Sequence, residues 1–461
     1  MSTAFRSLAL HTSLLENLDS LGYKEMTEIQ EQSLPAMMAG EDVIAQAKTG
    51  SGKTAAFGLA LLNKLKVKQF RVQSLVLCPT RELADQVAKE IRRLGRGIHN
   101  IKVLTLCGGM PFGPQIGSLE HGAHIVVGTP GRIEEHLRKQ TLRLDDVTTF
   151  VLDEADRMLD MGFQPSLDAI VEYIPTQRQT LLFSATFPEQ IQSISQRIMR
   201  VPTIIKVAST HDNQSIQQYF YQLDNDISRT TALQLLLLTH RPSSAVVFCN
   251  TRRETQEVAD ELSGMGFFAL ALHGDMEQRM RDQTLVRFAN KSASILVATD
   301  VAARGLDIDE LDAVFNYQLS REKDVHTHRI GRTGRAGSKG AAFTLYSQKE
   351  TYKIEALEKQ LSCKIEPSPL PSLSVLNDPI YKPPMATLQI DGGKRQKVRP
   401  GDILGALTSD GGIAGTQVGK IHIFDNSAYV AVSRNEVKTA LQKIEQGKLK
   451  GRSFRVRHIR G

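Results

Sequence analysis

Phe150-Val151-Leu152-Asp153-Glu154-Ala155-Asp156 is an apolar run that ends in an acidic tetrad, and its reading decides the fold. An uninterrupted apolar triplet marks a strand buried on both faces, the condition of a parallel sheet flanked by helices. Carboxylates just past such a strand stand where open α/β sheets place their ligands. A second stretch upstream, Val43-Ile44-Ala45 followed by Ala47-Lys48-Thr49-Gly50-Ser51-Gly52-Lys53-Thr54, supplies the counterpart. Its glycines let backbone N–H groups wrap a polyphosphate, and the helix expected after them adds the positive end of its dipole. Lys53 would reach the β- and γ-phosphates, Thr54 and Asp153 would hold Mg²⁺, and Glu154 would polarise or deprotonate a water. Ala47 stands where the general loop pattern begins with glycine, and a glycine-rich turn without function is the alternative.

Working outward, apolar β-branched runs alternate with helix-like stretches through most of the chain. They include Leu75-Val76-Leu77, Ile125-Val126-Val127 and Leu181-Leu182-Phe183, then Ala245–Phe248, Ile295-Leu296-Val297, Ala313-Val314-Phe315 and Ala342–Leu345. This is the pattern of an α/β chain with tandem parallel sheets. A polar stretch, Ser209–Gln214, divides two such domains, and six prolines between Lys364 and Pro384 favour a semi-rigid extended linker. The boundaries are a first domain over 1–208, a hinge over 209–215, a second domain over 216–365, a linker over 366–384 and a tail over 385–461. In the tail the order becomes strand, helix, strand, strand, helix, strand, the split βαβ arrangement of a small α+β domain.

A chain of 461 residues with 41% hydrophobic and 23% charged residues suits about three globular domains. Its net charge of +7 is unevenly placed. From Met385 onward there are 14 Lys and Arg against 6 Asp and Glu, a balance of +8, and the rest of the chain carries −1. A basic module on a neutral body suits a polyanion, although a solvated basic surface would look the same. Cys78, Cys107, Cys249 and Cys363 form no metal-like spacing and read as small apolar residues of a reducing, cytoplasmic setting. No secretory signal is visible at the start, and the cluster Leu233–Leu238 is too short to span a bilayer.

Further motifs occur in order: Gly22-Tyr23, Thr27 and Gln30 preceded by Phe5; Pro79-Thr80-Arg81-Glu82-Leu83-Ala84; Gly108-Gly109; Thr129-Pro130-Gly131-Arg132; Ser184-Ala185-Thr186. The second half adds Val246–Thr251, Ala298-Thr299-Asp300 through Arg304–Asp307, and His328-Arg329-Ile330-Gly331-Arg332-Thr333-Gly334-Arg335. Together they resemble the DEAD-box RNA helicases from Phe5 to Gly337, and Ala at the first loop position is usual in that family.

The resemblance implies two tandem RecA-like domains, ATP and Mg²⁺ as cofactors, and RNA as substrate. It places Phe5, Gln30, the loop from Ala47 to Thr54 and Asp307 around ATP, with Gln30 reading adenine. Arg332 and Arg335 become arginine fingers, and Asp156, Ser184, Thr186 and His328 couple hydrolysis to RNA. Thr80, Arg81, Gly109, Thr129 and Arg132 would hold the RNA backbone from one side, and Arg252, Gly274, Arg281 and Thr299 from the other. Such contacts carry no sequence information. Local strand separation by a monomer is implied, without DNA or membrane. An ATP-gated RNA clamp that turns over slowly is the other reading.

The tail resembles the RNA-binding domain of the DbpA-type subfamily in Met385–Leu388, Gly392-Gly393-Lys394-Arg395, Arg399–Leu407 and Gly419-Lys420-Ile421. That subfamily is associated with a hairpin of 23S ribosomal RNA and with assembly of the large (50S) subunit. An RRM-like domain usually stacks bases on sheet-face aromatics, yet Gln389 stands where one is expected and Tyr429 is nearly the only counterpart. Lys394, Arg395, Tyr429, Arg455 and Arg457 are the candidate RNA contacts, with loops and basic side chains weighed equally against the sheet face.

Overall fold

Each apolar run of the first domain quoted from the sequence is a strand of one parallel sheet. The computed structural model describes residues 4–47, 50–207, 216–224, 226–303, 311–320, 323–334, 340–361 and 363–459. These fall into two compact units, one through residue 207 and one from residue 216. The expected hinge over 209–215 lies outside the described residues.

The strands of the first unit are β1 (Val43–Gln46), β2 (Ser74–Leu77), β3 (Val103–Leu106), β4 (Ile125–Gly128), β5 (Thr149–Leu152), β6 (Gln179–Ser184) and β7 (Thr203–Lys206). They are ordered β3-β4-β2-β5-β6-β1-β7 with every pair parallel. β2, β4, β5 and β6 are buried along their whole length, so both faces must be covered by helices. Alternate residues accordingly enter two cores: Val151 and Leu181 join one, and Phe150, Leu152 and Leu182 join the other. Every strand runs the same way, so all the carboxyl ends share one edge, and that edge carries Ala47, Cys78, Cys107, Thr129, Asp153 and Ala185.

The second unit begins with another parallel sheet: β8 (Ile216–Leu223), β9 (Ala245–Cys249), β10 (Ala269–Leu272), β11 (Ile295–Thr299), β12 (Ala313–Asn316) and β13 (Gly340–Ser347). Its order is β10-β11-β9-β12-β13-β8. The Leu233–Leu238 cluster lies in the helix Arg229–His240, where Leu233, Leu236, Leu237 and Leu238 enter the core beneath this sheet. Among the described residues no helix is long and apolar enough to cross a membrane.

The proline-rich segment forms no strand or α-helix, only a 3₁₀ turn at Leu373–Asn377, and it is a strap and not a free spacer. Leu370, Val375, Leu376 and Ile380 pack on the second core, Ser368 N–H donates to Phe220 O at 2.7 Å, and Arg241 Nη2 donates to Pro379 O at 2.8 Å. It leads into β14 (Met385–Ile390), β15 (Val418–Ile423), β16 (Ala428–Ser433) and β17 (Val456–Ile459), an antiparallel sheet ordered β15-β16-β14-β17. The helices Pro400–Thr408 and Val437–Gln446 cover one face through Leu388, Ile390, Val430, Val432, Ile403, Leu407 and Ile444.

Period-two alternation sends Thr387, Gln389, Tyr429 and Ala431 to the other face, where Thr387 opposes Ala431 and Gln389 opposes Tyr429. That face is covered: Thr387 and Ala431 are 0% exposed, Gln389 1% and Tyr429 2%. Thr387 Oγ1 accepts from Asn290 Nδ2 at 2.9 Å and lies 2.7 Å from Ser292 Oγ. The Arg434 guanidinium lies 4.4 Å over the Phe268 ring while bonding Pro383 O and Met385 O. Phe268, Asn290 and Ser292 precede β10 and β11, at the amino ends of the second sheet. The tail is therefore seated on the edge opposite to the one that carries the motifs.

Candidate active site and RNA interface

The phosphate loop leads from β1 into the helix Lys53–Lys64, with Gly52 at its N-cap at φ +95°. A Cβ on Gly52 would lie 2.5 Å from Gln30 Nε2 and 2.9 Å from Thr27 Oγ1, so glycine is required by both conformation and space. Lys53 is buried and its Nζ donates to Ala47 O at 2.7 Å, which closes the loop on itself. Gln30 is also tied in: Oε1 accepts from Thr27 N–H at 2.9 Å and Nε2 donates to Gly52 O at 3.1 Å. In this structure its amide braces the loop from a helix start. Phe5 is a core residue, edge-on to Tyr23 at 6.1 Å. Lys48 and Thr49 lie outside the described residues.

The acidic tetrad sits past β5, with β6 between it and the phosphate loop's strand. Asp153 is 3% exposed and its Oδ1 has no hydrogen-bond partner. Burial pushes its pKa up to about 7 against the pull of Lys53. A buried carboxylate oxygen with nothing to bond is the observation expected of a cation ligand. Among the described residues no group of three His, Cys, Asp or Glu could hold a metal alone, so an ion here would be shared with phosphate oxygens, the habit of Mg²⁺.

Glu154 is left-handed, at φ +53° and ψ +51°, and caps the helix Ala155–Asp160. A non-glycine residue held there costs on the order of 1 kcal/mol, and such outliers cluster at active sites. Its carboxylate accepts from Arg157 Nη1 at 2.8 Å, with both side chains 6% exposed. Sequence reasoning missed Arg157; the signal was a lone cation three residues past Glu154, one helical turn away.

Asp156 joins the tetrad to the Ser184-Ala185-Thr186 turn. Its Oδ2 accepts from Thr186 N–H at 2.9 Å and Thr186 Oγ1 at 2.8 Å, and its Oδ1 from Arg157 N–H at 3.0 Å. Burial pushes its pKa up, but the two Thr186 bonds and the nearby cations outweigh that and hold it below the usual carboxylate value. Ser184 Oγ donates to Thr186 O at 2.6 Å, and Ser184 O accepts from Ala47 N–H at 3.1 Å. The phosphate loop, the tetrad and the turn thus form one connected network.

The expected RNA contacts of the first domain follow β2, β3 and β4. Thr80 caps the helix Arg81–Leu94 through Leu83 N–H, and Arg81 Nε lies 3.8 Å from Asp85. Thr129 Oγ1 accepts from Gly108 N–H at 3.4 Å, and Arg132 Nη1 donates to Met110 O at 2.9 Å beside Gly109 at φ +73°.

In the second unit Arg252, Gly274 and Arg281 come together past β9 and β10. Arg252 Nη1 bonds Asp275 at 2.5 Å, a Gly274 Cβ would lie 3.6 Å from Arg252 Nε, and Arg281 Nη1 donates to His273 O at 3.1 Å. Thr299 ends β11, with its Oγ1 accepting from Ala302 N–H.

His328 lies in the last turn of the helix Lys323–Ile330 and Arg332 just after it, and Arg332 is buried. Between them Arg329 forks onto Asp300 at 2.6 and 2.7 Å, and also bonds Gln318 O and Asn250 Oδ1. Its hub role was not anticipated. Asp307 and Arg335 lie outside the described residues.

The tail needs one correction. Tyr429 packs edge-on to Phe424 at 5.6 Å and is 2% exposed, so its ring has no free face for a base. Gln389 is likewise spent, bonding Arg457 Nε at 3.3 Å and Asp391 at 3.2 Å. Lys394, Arg395, Arg455 and Arg457 are exposed. Lys394 N–H and Arg395 N–H are anchored to Phe424 O and Asp425 O, and Asp391 N–H to Arg455 O, each at 2.9 Å. Lys450 Nζ reaches Lys397 O at 3.0 Å. Three loops thereby gather Lys394, Arg395, Lys397, Lys450 and Arg455 at one end of the domain.

Comparisons with known proteins cover nearly the whole chain. Residues 27–194 match the DEAD/DEAH box helicase family, 228–337 the helicase conserved C-terminal domain, and 387–458 the DbpA RNA binding domain. The chain is 52% identical over 99% of its length to the ATP-dependent RNA helicase DbpA of Escherichia coli (strain K12), of which it covers 100%. It is 42% identical over 80% of its length to the DEAD-box ATP-dependent RNA helicase CshA of Geobacillus kaustophilus (strain HTA426), covering 79% of it. Of solved structures, S. cerevisiae Dbp5 bound to RNA and ADP BeF3 is similar with a TM-score of 0.71 at 29% identity, covering 79% of this chain and 96% of that one. A parallel-sheet phosphate site, a tetrad wired to the Ser-Ala-Thr turn and matches along nearly the whole length lead to one conclusion: the chain belongs to the DEAD-box ATP-dependent RNA helicases, in the DbpA subfamily.

Proposed function

We propose that this helicase hydrolyses ATP to open short stretches of structured ribosomal RNA, and that its tail addresses it to a hairpin of 23S RNA during large-subunit assembly in the cytoplasm. The network joining Ala47, Ser184, Thr186, Asp156, Arg157 and Glu154, beside Asp153, carries the catalytic half of this reading. It is a route by which a change at the phosphates reaches the turn beside β6.

Lys53, now on Ala47 O, would hold the β- and γ-phosphates, and Thr54 and Asp153 would hold Mg²⁺. Such an ion would supply charge neutralisation on the phosphoryl group, and the remaining work falls to side chains. Glu154 orients water, with its carboxylate held in place by Arg157. Gln30 reads adenine beside Phe5, and Asp307 meets the ribose. Arg332 and Arg335 belong to the other unit, so turnover requires the units to close. RNA gripped by Thr80, Arg81, Gly109, Thr129 and Arg132 on one and by Arg252, Gly274, Arg281 and Thr299 on the other favours that closure. By linkage ATP and RNA then promote each other's binding.

The address is read by the loop cluster. With the sheet face covered and Tyr429 buried, Lys394, Arg395, Lys450, Arg455 and Arg457 remain to meet phosphates. The test is ATPase stimulation by large-subunit RNA fragments, tiled across the molecule, for the full chain and for K394E/R395E/K450E/R455E. A preferred fragment that the variant no longer distinguishes supports the reading. The same preference in both proteins refutes it. The slow-clamp alternative predicts no RNA-stimulated turnover at all.

A further inference from the structure

We propose that His136 is a positioning residue for the RNA grip of the first domain, holding the Gly108-Gly109 loop in shape through Gln115. This rests on the reading of Gly109, Thr129 and Arg132 as RNA-backbone contacts.

His136 lies at the far end of the helix Pro130–Arg138, whose first turn carries Gly131 and Arg132, and it is 0% exposed. Gln115, in the helix Phe112–Glu120, is 8% exposed. Its Nε2 donates to Cys107 O, the carbonyl just before the two glycines, at 3.0 Å. Its Oε1 can then only accept, so His136 Nε2, 3.0 Å away, must carry the proton. His136 Nδ1 is left as an acceptor, and the Thr141 hydroxyl fills it at 2.8 Å. Every polar atom of the ring is satisfied by the neutral tautomer. Burial agrees, lowering the His136 pKa to about 4. The Phe112 ring stacks on the imidazole at 4.2 Å and 20°.

The stretch from Cys107 to Phe112 is thus fastened at four points to the segment from Thr129 to Arg138. The points are Cys107 O through Gln115, Gly108 N–H on Thr129, Met110 O on Arg132, and Phe112 on His136. Two motifs far apart in sequence become one preformed surface. A leucine would fill the same core slot; only a donor at the Nε2 position secures Gln115 and, through it, the glycine loop. A surface shaped before RNA arrives spares the ordering cost on binding.

The experiment uses the full chain with single-stranded polyuridine as activator. We expect His136→Leu to raise the RNA concentration for half-maximal ATPase about tenfold, or about 1.4 kcal/mol, with kcat at saturating RNA little changed. His136→Gln, whose amide nitrogen falls near the lost Nε2–H, restores affinity to within about threefold, or about 0.7 kcal/mol. Should His136→Leu fail to fold, Gln115→Leu replaces it with the same expected loss. An unchanged half-saturation in the leucine variant overturns the proposal. So does a glutamine variant as weak as the leucine one, or a parallel loss of kcat and nucleotide affinity. Arg132→Ala separates the two levels: if it leaves RNA affinity intact, the reading of these loops as RNA contacts is what fails.

Discussion

The first domain and the tail treat an exposed sheet boundary in opposite ways. In the first domain the carboxyl edge of a parallel sheet is left open, and everything with chemistry to do collects there: Lys53, Asp153, Thr80, Gly109 and Thr129. In the tail the open face of an antiparallel sheet is closed by protein, with Thr387 against Asn290 and Ser292 and Tyr429 buried. A parallel sheet has only one edge at which loops and helix N-termini converge on a ligand, whatever that ligand is. An antiparallel sheet has a face that suits a base or a protein surface equally, and its identity depends on what the rest of the chain offers.

The sharpest way to break the comparison is at the open edge. Glu154→Gln keeps the shape of the site and removes the base, and turnover should fall by about 10³-fold while ATP and RNA still bind. A rate within tenfold of the wild type would show that Glu154 is not the group that handles water.

At the closed end, K394E/R395E/K450E/R455E should weaken binding to a structured RNA by about 100-fold. Each lost phosphate contact should also reduce the slope of log affinity against log salt by about 0.7 to 0.9. An unchanged slope would mean that the loops do not touch phosphate. Thr387→Val tests the covered face itself. It keeps the volume but strands Asn290 and Ser292, at a cost of about 1–3 kcal/mol. Urea unfolding followed in the second unit should show that loss, while the first unit melts as before. Equal loss in both, or in neither, would contradict a local interface.

Acid sensitivity is a further contrast, and it should belong to the helicase domains. His136 and His326 each have a pKa lowered to about 4, in both cases chiefly by burial. The native state resists protonation that the unfolded chain accepts below about 6.5. Stability is thus complete above that pH and falls as pH drops toward 4, by about 1.4 kcal/mol per pH unit for each histidine. Melting His136→Gln at pH 7 and pH 5 checks this: its drop between the two should be smaller than that of the wild type.

The parallel sheets were legible because continuous apolar runs have few alternatives, and the motifs at their ends inherit a position from strand direction alone. Lys53, Asp156, Ser184 and Thr186 accordingly lie in one network, with Asp153 beside it. Less regular strands such as β3 (Val-Leu-Thr-Leu) and β7 did not stand out, since each mixes polar and apolar positions.

What stayed hidden was pairing over distance. Arg157 on Glu154, Arg329 on Asp300 and His136 on Gln115 are choices among many cations and acceptors that only the fold brings together. Tyr429 misled for a similar reason: an aromatic on a small sheet reads as a stacking platform until Asn290 and Ser292, nearly a hundred residues upstream of Thr387, are seen to own that face. The signal was present in Gln389, a polar residue where a base-stacking ring would be expected.

On the function proposed, the loops of the tail switch on an engine at the open edge. ATPase activity of the full chain should be measured against a large-subunit RNA hairpin fragment and against polyuridine of equal length, for the wild type and for the four-site charge reversal. Wild type should respond to the fragment at about 100-fold lower concentration, a difference of about 2.7 kcal/mol. The variant should respond to both RNAs alike while retaining its maximal rate. No RNA-stimulated turnover in the wild type, or an undiminished preference in the variant, would contradict it.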